Sequence, residues 1–256
     1  MSYEIYNEDC LGGMKRIPDG TVDAVICDPP YGTTDCAWDK PLPLERFWTE
    51  IWRVSKKNAA IVIFSQMPYG AELIMSERRR YRYEWIWEKS LPVGYLNAPR
   101  MPLRCHENIL VFYRRLPTYN PQFGRGKPYE NRLRRRSATQ IYGDQKDTVG
   151  KSDGLRYPRD VLYYSSTTGS EERLHPTQKL LPLMEYLIRT YTNECETVLD
   201  PTAGSGTTGV ASIKLGRNFI GYETDKNYFL AAKVRMSSAA REVQDSLFVD
   251  MQANDY

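Results

Sequence analysis

Asp28-Pro-Pro-Tyr31 is the densest chemical signal in this 256-residue chain. Its two prolines, Pro29 and Pro30, remove two N–H donors and fix the backbone. The Asp28 carboxylate and the Pro29 carbonyl are left as rigid acceptors, with the Tyr31 ring beside them. Two acceptors next to an aromatic suit an exocyclic amino group on a planar base. The acceptors take its two hydrogens and the ring stacks on its face. The plainer reading is a proline turn whose aspartate satisfies nearby backbone groups.

A second segment, Val198-Leu-Asp-Pro-Thr-Ala-Gly-Ser-Gly-Thr-Thr208, reads as strand, glycine turn and helix. Gly204 and Gly206 lack Cβ atoms, so a ligand can approach the backbone closely. The Gly-Lys-Ser/Thr ending of a phosphate-binding P-loop is absent. Gly204, Gly206 and Gly209 match Gly-x-Gly-x-x-Gly, so a nicotinamide dinucleotide is one ligand this loop allows. A tight turn before a helix is the other reading. Glu223 ends the next strand, about 20 residues after the glycines, where an acid accepts hydrogen bonds from ribose hydroxyls. Asp225 suits the N-cap of the helix that follows.

Both segments need strands to present them. Val22–Cys27 is short, apolar and β-branched, as a buried strand is. Ala59–Phe64, Tyr83–Trp87, Asn108–Tyr113, Thr197–Asp200 and Asn218–Tyr222 read alike. Leu44, Phe47, Trp48, Ile51 and Trp52 recur at helical spacing, as do Leu180, Leu183, Met184, Leu187, Ile188 and Tyr191. Thr207–Leu215 and Lys226–Met236 are two further helices, and the polar last 15 or so residues a loosely held one. Strands alternating with helices predict an α/β fold, a mostly parallel Rossmann-like sheet with helices on both faces. Residues 115–170, rich in Pro, Gly, Ser and Arg, form an inserted segment between two halves, 1–114 and 171–256. His106 and Glu107 open a strand, and neither carries an assigned role.

Composition narrows the classes. With 41% apolar residues the chain can build a core, so global disorder is excluded. No apolar run approaches the roughly 18 residues of a membrane span. Five scattered cysteines and two histidines argue against both a zinc site and a disulfide framework, and for a reducing cytoplasm. No metal is expected. Residues 71–170 hold 19 Lys and Arg against 10 Asp and Glu, whereas the rest hold 16 against 22. The basic middle peaks at Arg125, Lys127, Arg132, Arg134, Arg135 and Arg136. On charge alone this is either a solvated loop or a surface that tracks phosphates.

Together these segments resemble the amino-methyltransferases of DNA, which use S-adenosylmethionine. Asp28-Pro-Pro-Tyr31 is similar to their catalytic motif and Val198–Thr208 to their cofactor loop. The order, with catalytic motif first, basic insert next and cofactor loop last, resembles the permuted beta class. His175-Pro-Thr-Gln-Lys179 and Asn7-Glu-Asp-Cys10 resemble that class too. The likeness covers most of 4–114 and 171–236. One departure is Thr202, where many members carry Phe. The resemblance implies Asp9 on the cofactor's adenine with Cys10 beside it, and Glu223 on its ribose. It also implies Gly204 and Gly206 beside the methionine part, together with Asp200, Thr202, Ser205 and Thr207 of the same loop. Asp28 lies at the transferred methyl, and Thr177 and Lys179 near the cofactor. For Lys179, a solvated place at a helix start is the alternative. The insert becomes the target-recognition region, double-stranded DNA the substrate, and adenine N6 the acceptor, since residue 28 is Asp rather than Ser. A homodimer and a cognate restriction enzyme are partners to test for.

Three other readings stand beside this one: cytosine N4 or RNA methylation on the same fold, a non-enzymatic nucleic-acid-binding module, and a nicotinamide-dependent oxidoreductase. The last leaves Asp28-Pro-Pro-Tyr31 and the basic insert unexplained.

Overall fold

The computed structural model describes residues 1–32, 39–130, 150–165 and 178–253. In chain order the elements are β1 (Tyr3–Tyr6), α1 (Cys10–Gly13), β2 (Val22–Cys27), α2 (Leu44–Val54), β3 (Ser55–Ser65), α3 (Tyr69–Ser76), β4 (Tyr81–Val93) and β5 (Arg104–Phe112). Four short strands follow, β6 (Gly124–Arg125), β7 (Tyr129–Glu130), β8 (Lys151–Ser152) and β9 (Leu155–Arg156). Then come β10 (Val161–Tyr164), α4 (Leu181–Tyr191), β11 (Thr197–Asp200), α5 (Thr207–Lys214), β12 (Asn218–Tyr222) and α6 (Lys226–Ala253).

Eight strands form one sheet in the order β1-β12-β11-β2-β3-β5-β4-β10. Every pairing is parallel except those of β5 with β3 and β4. The decisive pairing is β11 with β2, where Val198 faces Ala24 and Leu199 faces Val25. Strands some 170 residues apart in sequence are therefore neighbours. From this point the chain runs outward one way through β2 and β3 and the other way through β11 and β12. Open α/β sheets bind ligands at such a reversal, at the carboxyl ends of the strands.

Side chains of the central strands alternate between two apolar layers, as the two-residue period of a strand requires. Ala60, Val62 and Phe64 of β3 join α4, α5 and α6 on one face. Ala59, Ile61 and Ile63 join α1, α2 and α3 on the other. Burial of Phe47, Trp48, Ile51 and Val54 fixes α2, each contributing about 1.5–3 kcal/mol. The expected layered α/β fold is thus present, with β1, α1 and α3 in addition.

Part of the 115–170 segment read from composition forms a compact unit of its own. The compact second unit spans Pro121–Arg159. Val161–Tyr164 pairs with β4 as an edge strand, and the Asn120 side chain donates to the carbonyls of Arg189 and Thr192 at the end of α4. Those contacts tie both flanks to the large sheet. Within the unit, β6 pairs with β9 and β7 with β8. Gly154, at φ +104°, lets its backbone pass against Gly126, where an added Cβ would lie 2.6 Å from the Gly126 carbonyl oxygen. The Arg156 guanidinium lies over the Tyr129 ring. The C-terminal helix also differs from expectation. It is one element of 28 residues, packed through Ala232, Met236 and Ala239, of which the two alanines carry little apolar signal in the sequence.

Candidate active site

Asp28 follows the last residue of β2 directly, so its place is set by the most deeply buried part of the sheet. Pro29 is buried, and Asp28 and Pro30 are half-buried. The Tyr31 hydroxyl donates to Asp28 Oδ1 at 2.6 Å, and its ring packs against Tyr69 with centroids 5.6 Å apart. Burial first, and then the Asp28 charge, push the Tyr31 hydroxyl well above its ordinary pKa. It is therefore a donor at neutral pH.

Lys179 donates to the other oxygen, Asp28 Oδ2, at 2.6 Å. Its ammonium also lies 3.2 Å from Glu107 Oε2 and over the Phe64 ring. Glu107 Oε1 in turn accepts from Lys89 of β4. The result is an alternating chain of charges, Asp28, Lys179, Glu107 and Lys89, in which Lys179 and Glu107 are nearly sequestered from water. Burial alone would neutralise Lys179, but Asp28 and Glu107 outweigh it and hold its pKa above the usual lysine value. Burial likewise opposes the Glu107 charge, yet Lys179 and Lys89 hold its carboxyl below the usual range. Both stay ionised because each is paired.

The glycine loop rises from β11, next to β2. Asp200, fully buried, accepts from the Thr202 amide at 3.0 Å and from Thr208 Oγ1 at 2.6 Å. Burial pushes its pKa up to about 7, and the charges of Asp28 and Glu223 add to the effect. Glu223 accepts from the Gly204 amide at 2.9 Å and from the Asp225 amide at 2.7 Å, which ties the loop to the end of β12. Burial also raises the Glu223 carboxyl. Asp225 accepts from the amides of Asn227 and Tyr228, the capping contact expected of it. Gly204, at φ +54°, has open space where a Cβ would stand. Gly206, at φ +78°, instead packs against α6, where an added Cβ would lie 2.8 Å from Ala232 Cβ. One glycine therefore leaves room and the other closes a helix contact. Thr202 Oγ1 is buried with no hydrogen-bond partner among the described residues.

The N-terminal segment joins the same edge. Asn7 donates to the carbonyls of Glu223 and Thr224 at 2.8 and 3.0 Å. Asp9 caps α1 through the amides of Leu11 and Gly12. Cys10 is buried, and burial pushes its thiol up to about 12. Asp9, Asp28, Lys179, Asp200, Thr202, Gly204 and Glu223 thus stand at the carboxyl ends of four adjoining strands. Thr177, Arg132, Arg134, Arg135 and Arg136 lie outside the described residues. Arg125 and Lys127 are exposed within the 121–159 unit.

Three contributors escaped the sequence reading. Glu107 and Lys89 belong to strands whose pairing gives no chemical signature. Arg235 of α6 donates to the Ser205 carbonyl at 2.6 Å and to Thr207 Oγ1 at 3.1 Å, clamping the glycine loop. Ser205 donates to Gln178, the residue before Lys179. Among the described residues there is no cluster of His, Cys, Asp and Glu suited to a metal, and no helix long and apolar enough to cross a membrane.

Comparison with known proteins agrees with this geometry. The type II methyltransferase M.HpaI of Haemophilus parainfluenzae is 28% identical over 253 residues, covering 93% of this chain and 75% of its own length. M1.MboII of Moraxella bovis is 28% identical over 246 residues, covering 88% and 93%. Among solved structures, an M1.HpyAVI–SAM complex superposes with a TM-score of 0.64 at 28% identity, over 91% of this chain and 98% of that one. The cytosine-N4-specific PvuII DNA methyltransferase shares the fold, with a TM-score of 0.68 at 14% identity over 96% of this chain and 93% of its own. The sequence pattern of the N6/N4 DNA methylases matches residues 22–234, which runs from the first residue of β2 into α6 and takes in both loops. With its two halves meeting at those loops, this chain belongs to the N6/N4 DNA methylase family.

Proposed function

We propose that this chain transfers a methyl group from S-adenosylmethionine to the N6 amino group of adenine, in a base flipped out of double-stranded DNA. The observation that carries the reading is Asp28. It is a carboxylate fixed at the strand end beside the glycine loop, with both oxygens already oriented by Tyr31 and Lys179.

The residues present suit the cofactor. Gly204 leaves open space over the loop, and the Thr202 hydroxyl is buried with no partner among the described residues. Asp9 and Glu223 are carboxylates flanking the same strand ends, and the proposal assigns them the adenine and ribose ends. Asp200 anchors the loop from below. When bound, S-adenosylmethionine supplies an already activated methyl on a sulfonium.

The remaining work falls to the chain. The lone pair of an exocyclic amine is delocalised into the base, so the nitrogen is a weak nucleophile. Asp28 and the Pro29 carbonyl accept its two hydrogens, draw the lone pair out of conjugation and aim it. Such interactions favour the transition state over the ground state. Lys179 donates to one Asp28 oxygen and the Tyr31 hydroxyl to the other, which fixes the orientation of the carboxylate. Asp28 is also the nearest base for the proton released on methyl transfer. Because the target is inaccessible inside a duplex, it must leave the stack, with Tyr31 at its face. The 121–159 unit, with exposed Arg125 and Lys127 and the arginines at 132 and 134–136, is the proposed recognition region. A cytoplasmic location is proposed from the cysteine content, and a homodimer and a cognate restriction enzyme from the family resemblance.

Cytosine N4 is the second reading, since it presents a similar amino edge and the PvuII enzyme shares the fold. The test is methylation of unmethylated genomic DNA with methyl-labelled S-adenosylmethionine, followed by digestion and mass spectrometry of the nucleosides. Label on N6-methyladenosine supports the proposal. Label on N4-methylcytosine keeps the mechanism and overturns the base. No label on either base refutes the proposal.

A further inference from the structure

The loop between β4 and β5 belongs to neither the ion-pair chain nor the glycine loop. All of residues 91–106 are exposed. Gly94, at φ +91°, turns the chain, and Tyr95–Asn97 forms a single 3-10 turn braced by backbone bonds from Asn97 to Gly94 and from Met101 to Asn97. Tyr95 is 77% exposed and Leu96 79%, with Leu91, Met101 and Leu103 also open to solvent. No carboxylate occurs between Glu88 and Glu107, whereas Arg100 and Arg104 are both present and exposed. An apolar tip flanked by cations and free of acids is costly to leave in water and suited to a polyanion.

Topology sets the base of this tip at the rim of the site. Because β2 and β3 are parallel and β5 runs against them, β5 begins at the sheet edge that carries Asp28. Glu107, near the start of β5, touches Lys179, which touches Asp28. Arg104 pairs with Val93 three residues further out, about 10 Å beyond Glu107 at the usual strand rise. The tip therefore rises from the rim of the site itself.

We infer that the Tyr95–Leu96 tip is an apolar wedge that enters the duplex where the target base has left, with Arg100 and Arg104 on the flanking phosphates. The inference rests on the methyltransferase reading. An extruded base leaves an unstacked gap, and apolar side chains inserted between base steps offset that loss in proteins that open or kink duplexes. A wedge matters for a fully paired target and much less for one already unpaired.

The experiment follows from that difference. The methylated sequence is first mapped on genomic DNA with the wild-type protein. If no DNA is methylated, the functional reading itself fails and the wedge with it. Two duplexes are then compared, one fully paired and one with the target base opposite an abasic site. For the double variant Tyr95→Ala/Leu96→Ala, kcat/KM on the paired duplex is expected to fall about tenfold more than on the abasic duplex. S-adenosylmethionine affinity and melting temperature, measured on the same sample, report that the exposed substitutions leave the fold intact. Fluorescence of 2-aminopurine at the target position in the paired duplex is expected to show less extrusion. Equal losses on both duplexes, or no loss on either, overturn the proposal. So does a change in sedimentation mass with equal losses, which makes the tip a contact between copies of this chain. Arg100→Ala and Arg104→Ala are each expected to lower the slope of log K against log salt by about 0.9, and an unchanged slope removes the phosphate contacts.

Discussion

Glu107→Gln isolates the buried charge chain from the rest of the site. The wild-type sequence of charges, negative at Asp28, positive at Lys179, negative at Glu107 and positive at Lys89, sums to zero. The substitution leaves an excess positive charge between two lysines that are 9% and 13% exposed at the side chain. At an effective dielectric of about 20, the 3.2 Å contact of Glu107 with Lys179 is worth about 5 kcal/mol before desolvation. Removing the carboxylate also relieves the cost of its own burial. The expected loss is therefore about 3 kcal/mol, the low end for breaking one partner of a buried pair. For a chain of this size that is about 6–12 °C in melting temperature. A held-down carboxyl stabilises the fold above its unfolded pKa and ceases to do so as pH falls. The gap between wild type and variant should therefore narrow below pH 4.5. Calorimetry at pH 7 and pH 4 measures this. Adding Lys89→Met restores neutrality, so the double variant should lose less than the two single losses combined. In single-turnover methylation the variant should be slower. Its S-adenosylmethionine affinity should stay near wild type, because the glycine loop is held by Asp200, Glu223 and Arg235 instead. A variant that melts within about 1 °C of wild type, with an additive double variant, would refute the idea that Glu107 holds Lys179 in place.

Asp28→Ala should abolish methylation while leaving cofactor affinity within about threefold, as isothermal titration can verify, because the binding and orienting groups differ. Gly204→Ala and Gly206→Ala should separate. Both carry a left-handed strain of about 1–2 kcal/mol, but only the first adds a methyl to the open cradle, so it should weaken cofactor binding more than stability. The second drives a methyl against Ala232 and should chiefly lower the melting temperature. Asp200, raised to about 7 by burial, binds its proton more tightly folded than unfolded, so its contribution to stability falls as pH rises from about 4 to 7. Asp200→Asn should flatten that slope in urea melts at pH 5 and pH 8. Neutralising Arg134, Arg135 and Arg136 together should reduce the salt slope of DNA binding by up to about 2.7, as measured by fluorescence anisotropy.

Much of this protein is legible in one dimension. Asp28-Pro-Pro-Tyr31 carries its chemistry locally, because two prolines rigidify adjacent acceptors whatever surrounds them. The run Val198–Thr208 announces strand, turn and helix through β-branched residues followed by glycines. The unbroken apolar run Ala59–Phe64 marks a strand buried on both faces and the spacing of Leu44–Trp52 a helix, and those elements stand where the pattern placed them. Asp225 as a cap is likewise a local matter of one side chain and the next two amides.

Other features depend on contacts that no local pattern records. Strand order brings Ala24 beside Val198, so the two loops become one site. Glu107 and Lys89 are ordinary residues in their own strands, and only the register of β4 on β5 with the arrival of Lys179 turns them into a charge relay around Asp28. Arg235 acts across 30 residues on Ser205 because α6 is continuous and packed through alanines. Glycine type at 204 and 206 is visible in the sequence. Which one opens a cradle and which one seats a helix depends on where Ala232 lies. Local backbone chemistry specified the groups proposed to react. Long-range packing, with the desolvation it imposes on Lys179, Glu107 and Asp200, decided their partners and their charge.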